Sequence, residues 1–516
     1  MFEYGGGHSC NIYHYGGMNM NKTAKAALSL ALAILLALAS LPVYARNVAP
    51  ARTVPEGYNA HDYGKCVAFL EQTDASGVKN GAKLSSSYNP NDPESWGIDG
   101  WGERTFQWIG ENGELRLMIA HLADRNLAGA LDLSDCPMLA RVVCWENRIT
   151  SINVSNCPAL TDLYFSDNLV SEIDVSGNER LEILSCGSNQ LTQIDVSNNP
   201  ALWYFYCYDN DLTEIDVSNN PALLHFSFSY NPITSIDLSH NPLLANLYCV
   251  GNGLTQLDLS HNPALETIGC EENALTSLDV SNHTALSILT CWENALTELN
   301  LTGCTALNQL HCDTNELTEL DVSSCYAIEN IDCSGNRLTS LDLSNNPDIL
   351  SLGCISNPMR SLDLSRCAGL PLNSITAQGR GYIGYFSSHD YHSGNNELYI
   401  FASPEQGEQF DGFYAHDGAL IANGAWYSQF SAYYHHYDTP PVDVSQVIAR
   451  FTGSAVIPGD SDGSGSVNIT DAVLAMRYAM GLIDSLPCFE NADMDGSGSV
   501  SISDAVAILR LAMELA

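Results

Sequence analysis

The chain has 516 residues, 45% of them hydrophobic, enough for three or four folded domains. Sixty acidic residues stand against twenty basic ones, a formal net charge of −40. Such a field repels phosphate backbones and anionic lipid, which argues against nucleic acid and membrane surfaces as partners and favours calcium and cationic or neutral ones.

At the start, Asn21-Lys22-Thr23-Ala24-Lys25, the apolar run Ala26–Leu41 and Val43-Tyr44-Ala45 have the three parts of a secretory signal, with cleavage expected after Ala45. The apolar core, about sixteen residues, is short for a membrane span. Residues 1–17 lie upstream of Met18 and Met20, either of which can serve as the start, and no second hydrophobic run occurs. A secreted, extracellular product without a membrane span is expected. Residues 46–130 hold Trp96, Trp101 and Trp108, and Ser95–Leu133 is expected to form an N-terminal cap on a repeat array, with the tryptophans packed inside.

From 131 to 370 the chain is periodic. Asn147, Asn168, Asn189, Asn210, Asn231, Asn252, Asn273, Asn294, Asn315, Asn336 and Asn357 fall 21 residues apart, and Asn126 extends the phase into a degenerate first copy. The unit L-x-x-L-x-C-x-x-N-x-L-T-x-L-D-V-S-x-N-P-A, carried for instance by Leu160, Leu163, Asn168, Ile173, Asp174 and Val175, resembles the leucine-rich repeat of the 21-residue nested class. The resemblance implies a mainly β solenoid in which each coil buries its apolar face only against its neighbours. Both half-repeats are expected to form short strands, and about twelve coils at roughly 4.8 Å each stack to roughly 55–60 Å.

Nine cysteines sit three residues before the repeat asparagine: Cys144, Cys186, Cys207, Cys249, Cys270, Cys291, Cys312, Cys333 and Cys354. Phe165 and Phe228 fill the same slot in other coils, so it is a core slot in which Cys acts as a small hydrophobe. Cys136, Cys157, Cys304, Cys325 and Cys367 alternate with Asn after D-V-S, where either side chain can bond loop backbone; Cys10, Cys66 and Cys488 are left over. Buried thiols are expected, not a disulfide framework. Asp174, Asp195, Asp216, Asp237, Asp258, Asp279, Asp321, Asp342 and Asp363, joined by Asp132, Asn153 and Asn300, form a further ladder. Local bonds to the adjoining Ser-x-Asn turn are expected to offset its self-repulsion.

In the first half-repeat the residues flanking the inward Leu and Cys face outward with period two. There the coils carry Tyr164, the trio Tyr204, Tyr206 and Tyr208, His225 and Tyr248, with Trp145 and Trp292 further along and Asp167 and Asp209 at the rim. Aromatic platforms with polar rims bind protein hot spots or sugar rings, so these residues are the candidate ligand face.

Residues 371–456 leave the period. Phe410-Asp411-Gly412-Phe413-Tyr414, Asp417-Gly418-Ala419-Leu420-Ile421 and Val447-Ile448-Ala449-Arg450-Phe451 resemble the small β-grasp-like repeat of Gram-positive surface proteins, which usually acts as a spacer. No nucleophile elbow, Walker loop, dinucleotide turn or H-E-x-x-H occurs, and the groupings His389-Asp390-Tyr391-His392 and His435-His436-Tyr437-Asp438 read as surface residues. No catalytic constellation is found.

Two twelve-residue loops lie near the C-terminus, Asp460–Asp471 and Asp493–Asp504. Each has oxygen-bearing side chains at positions 1, 3 and 5, glycine at 6, an apolar residue at 8 and a carboxylate at 12, the order a hard cation needs. The candidate metal ligands are Asp460, Asp462, Ser464, Ser466 and Asp471 in the first loop and Asp493, Asp495, Ser497, Ser499 and Asp504 in the second, with Ala472–Leu482 and Ala505–Leu515 as the adjoining helices. Asp rather than Glu at position 12 and the duplication 33 residues apart resemble the dockerin module of cellulosome-type assemblies, over residues 457–516.

That resemblance implies an all-α domain that folds on two Ca²⁺ ions and docks into a cohesin domain of a scaffold or cell-surface protein. The family's recognition positions correspond to Ile469, Thr470, Met476 and Arg477 in the first copy and Ile502, Ser503, Leu509 and Arg510 in the second. Many members carry Ser-Thr at the first two; Ile departs from this and implies a more apolar cohesin. The sequence therefore leads to a secreted, non-catalytic interaction protein held in a cohesin-bearing, polysaccharide-degrading complex, presenting its repeat surface to a protein or glycan. The alternative is a dockerin-bearing glycoside hydrolase of the same system.

Overall fold

The computed structural model describes residues 54–98, 102–370, 372–389, 396–405, 408–416, 420–422, 432–436, 446–453, 459, 461, 467–483, 486, 492–494 and 499–515. The signal segment, Trp101, Cys10 and Cys488 lie outside these residues.

The array opens on helix α1 (Ala60–Leu70), whose N-cap Asn59 accepts bonds from the backbone of His61 and Asp62. A short α2 (Asn80–Leu84) comes next, then the hairpin β1 (Phe106–Glu111) and β2 (Glu114–His121). The helix buries Tyr63, Cys66, Val67, Phe69 and Leu70, while Trp96 is buried and donates its indole N–H to Asn89 O at 2.9 Å. Asp62, fully buried, accepts from Arg116 Nε and Nη2 at 2.9 and 3.0 Å and from Leu117 N at 2.9 Å, locking α1 onto β2. β2 then pairs in parallel with Arg141–Val143, so this region covers the open end of the first coil.

Each coil contributes one three-residue strand to a parallel ladder that runs in register from Arg141–Val143 to Ser351–Gly353. The inward residues of these strands (Leu163, Leu184, Phe205, Phe226, Leu247, Ile268) are fully buried, as are the cysteines and phenylalanines two positions on. Every described cysteine is buried and unpaired. Burial alone pushes the Cys144 and Cys186 thiols well above their ordinary range, and burial with Glu271 nearby does the same to Cys249, so these groups pack as neutral hydrophobes.

Two side-chain ladders bind coil to coil. Asn168 donates to Cys144 O, Phe165 O and Ser166 O at 2.9, 2.9 and 3.2 Å and accepts from Ile149 N at 2.9 Å, and the pattern repeats along the array. On the opposite edge Asn199 donates to Val175 O and Asn178 O at 3.1 and 2.9 Å. Cys157 and Cys304 send Sγ to the corresponding carbonyls, Leu133 O at 3.1 Å and Val280 O at 3.0 Å, and His283 occupies the same slot against Val280 O and Leu259 O.

The second half-repeat departs from expectation. Strands form there at Ala128–Asp132 with Arg148–Asn153, at Ser277–Asp279 with Glu298–Asn300, and at Ser361–Asp363, whereas the other coils have none on that side. The stacked asparagine amides hold this edge in place of a continuous backbone ladder. The aspartate ladder is discharged locally: the Oδ1 atoms of Asp174, Asp195 and Asp216 each accept from the backbone N of the serine two residues on, at 2.9 Å. The serine hydroxyl and backbone bonds hold these carboxyls below their ordinary range.

Among the described residues of 372–453, the strands continue both sides of the solenoid. Gly381–His389 pairs antiparallel with the last coil strand, Ser351–Gly353, and Ser374–Gln378 pairs with Ser361–Asp363 and with Gln446–Gly453. Met359, Ile375, Ile383 and Tyr385 join the same core as the coils, so the segment closes the array's far end.

The C-terminal helices α3 (Ile469–Ala479) and α4 (Ile502–Leu515) have their own small core of Ala472, Ala475, Leu486, Ala492, Val500, Ala505 and Ile508. Asn468 and Asp471 form a reciprocal capping box at the start of α3.

Candidate functional site

Both loop-closing carboxylates are buried at the first turn of a helix. Asp471 accepts from Asn468 N at 2.8 Å, and Asp504 accepts from Met494 N and Ser501 N at 2.9 Å each and from Ser501 Oγ at 2.7 Å. All these donors are neutral, so a buried carboxylate oxygen in each copy suits a hard cation. Asp493 is half-buried and Ser499 exposed; Asp460, Asp462, Ser464, Ser466, Asp495 and Ser497 lie outside the described residues.

Of the expected recognition residues, Ile469, Thr470 and Arg477 are exposed on α3 and Ile502, Ser503 and Arg510 on α4, while Met476 and Leu509 are half-buried against the module's core. The structure adds Val473 and Met480, and Val506 and Met513, all exposed. Ile469-Val473-Met480 and Ile502-Val506-Met513 are thus equivalent apolar stripes on the two helices. Their i, i+4, i+11 spacing was present in the sequence, yet exposure, which separates a docking stripe from a core stripe, was not.

On the solenoid, Tyr204, Tyr206, His225 and Tyr248 lie half-buried on the outward side of three consecutive strands, around inward Phe205 and Phe226, with Tyr208 just past its strand and Tyr164 two coils before Tyr206. Tyr204 and Tyr206 stack with ring centroids 4.1 Å apart, and Trp203, outside the expected set, packs edge-on against Tyr204 and His225. His225 Nδ1 faces the Asn246 amide at 2.9 Å, and burial lowers its pKa, so the ring is neutral at neutral pH. Burial raises Tyr204, Tyr206 and Tyr208. Trp145 and Trp292 share Tyr208's position in their own coils, three coils before and four after, so they do not join this cluster.

Tyr208 lies across the neighbouring coil on Gly187: a methyl group there would come within 2.5 Å of two ring carbons. Its hydroxyl reaches Ser166, two coils away. Tyr230 lies on Gly251 in the same way and is 48% exposed. The two rings are thus packed against bare backbone. Sequence patterning cannot show this, because the glycine that makes each seat lies 21 residues from its tyrosine.

The turn after each strand takes a left-handed residue: Glu146, Asp167, Ser188, Asp209, Tyr230, Glu272, Glu293, Thr314 and Ser356 all have φ between 49° and 57°. This column brings Asp167 and Asp209 to either side of the Tyr208 ring. Asp167 is raised by burial and then by Asp209, against the Ser188 hydrogen bond. His61, Asp62 and Cys136 also converge, but Arg116 already occupies both Asp62 oxygens, so this cluster serves the cap.

Residues 458–511 match the family model of the dockerin type I domain, a calcium-binding domain that docks into cohesin. No curated protein matches the chain. Among solved structures it is similar to the functional domain of InlJ from Listeria monocytogenes, described as including a cysteine ladder, at 22% identity and TM-score 0.39, over 64% of this chain and 91% of that one. It is similar to the internalin inlF from Listeria monocytogenes at 18% identity and TM-score 0.41, over 47% of this chain and 84% of that one. YopM from Yersinia enterocolitica is similar at 25% identity and TM-score 0.42, over 48% and 52%. Among the described residues no helix is long and apolar enough to cross a membrane.

Proposed function

We propose that this is a secreted, non-catalytic binding protein. Its dockerin, loaded with two Ca²⁺ ions, plugs into a cohesin of a cellulosome-like, polysaccharide-degrading complex, and its solenoid presents the tyrosine face to a protein or glycan ligand. The observation that carries the reading is the dockerin match at 458–511. The exposed stripes Ile469-Val473-Met480 and Ile502-Val506-Met513 support an apolar cohesin surface, and Arg477 and Arg510 beside them call for a carboxylate on the partner. Docking uses the small helical module alone, which leaves the strand face open while the protein is held in the complex.

The loops' chemistry dictates the first test. Each loop gathers three aspartates, so metal removal leaves like charges together at a helix start. Full-length protein should bind a panel of immobilised cohesins in calcium and release them on chelation, with helical circular dichroism falling in step. Asp471→Ala or Asp504→Ala should weaken calcium binding more than Asn468→Ala. Cohesin binding that persists in chelator would refute the docking reading. Reproducible release of reducing sugar from plant polysaccharides by the purified chain would replace the non-catalytic reading with glycoside hydrolysis.

A further inference from the structure

On the strand face Arg141, one coil before Tyr164, is already paired with Asp162 at 3.1 Å, and beyond that coil positive charge is scarce. The chain carries no lysine beyond Lys83, and between Asp162 and Ser356 its only lysine or arginine residues are Arg180 and Arg337. Arg180 is exposed outside the strands and Arg337 pairs with Glu316, so neither serves this surface. Meanwhile Asp167, Asp209, Glu272 and Glu293 all fall on the turn beside the outward columns, whereas Glu271, in an outward column, is buried and accepts from Thr290 Oγ1. Surface carboxylates without cations, set among aromatic rings, are complementary to a cationic partner, not to a uronate, a phosphate or another acidic chain.

Tyr208 gives this complementarity a shape. Its ring lies along the face over Gly187, with its outer side uncovered by the backbone that seats it, and Asp167 and Asp209 stand one coil to either side of that seat. Two strand spacings, about 9.6 Å, separate these carboxylates along the array. That gap accommodates a planar guanidinium stacked on the ring with a carboxylate at each edge. An ammonium, a compact and strongly hydrated point charge, uses neither the flat face nor the paired edges as well. The same chemistry occurs within this molecule: Arg450 stacks over the Tyr414 ring at 3.9 Å from its centroid, and the Tyr414 hydroxyl donates to Asp411 at 2.7 Å.

We infer that the tyrosine face docks an arginine-bearing polypeptide segment, with Tyr208, Asp167 and Asp209 forming an arginine-reading subsite and Gly187 its required seat. This deepens the proposed ligand face and rests on that reading. Tyr204, Tyr206 and Tyr248 extend the surface on which the rest of the segment lies, and neutral His225 adds no repulsion to an incoming cation.

The test titrates calcium-loaded full-length protein, by calorimetry, with a peptide of alternating arginine and glycine, its lysine counterpart, and a soluble neutral β-glucan. The arginine peptide should bind tighter than the lysine one and weaken as salt rises. Asp167→Asn with Asp209→Asn, which keeps side-chain size, should weaken it at least about tenfold. Gly187→Ala should do the same by displacing the ring, whereas Asp342→Asn on the far edge should change nothing. Should Gly187→Ala prove misfolded by circular dichroism, the asparagine pair decides. Equal binding of both peptides, no binding of the arginine peptide, or indifference to the asparagine pair overturns the inference. Glucan binding that is lost in Tyr208→Ala but insensitive to salt and to the asparagine pair also overturns it, while leaving the face standing as a ligand surface; loss of cohesin docking bears only on the separate dockerin reading.

Discussion

The two asparagine ladders look alike in sequence but carry different loads, and alanine substitution should separate them. Asn210 donates to Cys186 O, Cys207 O and Tyr208 O, each at 3.1 Å, and its Oδ1 accepts from Leu191 N at 2.9 Å. Those carbonyls have second donors, from Asn189, Asn231 and Ser188 N, but Asn210 Oδ1 is the bond that satisfies the Leu191 amide. Asn210→Ala therefore orphans one buried N–H, weakens three carbonyls and leaves a small void, a loss of about 3 kcal/mol.

Asn199 is fully buried too, yet its amide donates only to Val175 O and Asn178 O, which keep backbone bonds from Asn178 N and Leu181 N, and its Oδ1 has no partner. Asn199→Ala removes a buried, unpaired oxygen along with two redundant bonds, so it should cost about 1 kcal/mol, and Asn199→Cys less. Urea unfolding of the full chain followed by circular dichroism measures both, provided the slope stays constant across variants, since repeat arrays can lose cooperativity. An Asn199→Ala loss equal to or larger than that of Asn210→Ala would refute the bond-by-bond assignment.

Cys270→Val should cost about 1 kcal/mol, because the slot is a closed apolar one that takes Phe in other coils, and thiol titration of the unfolded chain should find most ladder cysteines reduced. Thr314 is a β-branched residue at φ 55°, so Thr314→Gly should raise the urea midpoint, a stabilisation of about 0.5–1 kcal/mol after glycine's added unfolded-state entropy; a fall would show that the left-handed turn is unstrained. Nine ladder aspartates, from Asp174 to Asp363, are held below the ordinary carboxylate range by their serines. A folded pKa below the unfolded one gives stability that is complete above about pH 4 and lost as pH falls through the folded value, so acid should destabilise the array there and Asp195→Asn should flatten the dependence. Steeper acid loss in that variant would contradict the assignment.

Much of this was legible because the repeat is short and strict. A 21-residue phase fixed by Asn147 through Asn357 can place leucine, cysteine and asparagine inward in only one way, and the aspartate turns are set by Ser two residues on. The loops at Asp460 and Asp493 were legible for the same reason, since ligand spacing within one loop is local. Contact between distant residues was not. The strands of 372–453 pair with coil strands they do not resemble, so loss of the period concealed their continuity with the sheets. Likewise the second half-repeat carries strand-like residues, but its edge is held by side-chain amides, an outcome set by spacing between coils and not by propensity.

The division of labour within a coil explains why a binding face can sit on so regular a scaffold. Inward leucines, the core cysteines and the asparagine amides hold the stack, and where they touch outward-column residues they bond the backbone carbonyl and not the side chain. The third strand residue is therefore free to run Val143, Tyr164, Ser185, Tyr206, Ser227, Tyr248 and Gly269 across consecutive coils without altering the register. Large and small residues alternate along that column over these coils. Each small residue gives a neighbouring ring room to lean, and at Gly187 and Gly251, one period from Tyr208 and Tyr230, the ring packs against bare backbone. The face is thus specified by pairs of residues one period apart, and enlarging the small member of a pair should disturb ligand binding as much as deleting the ring.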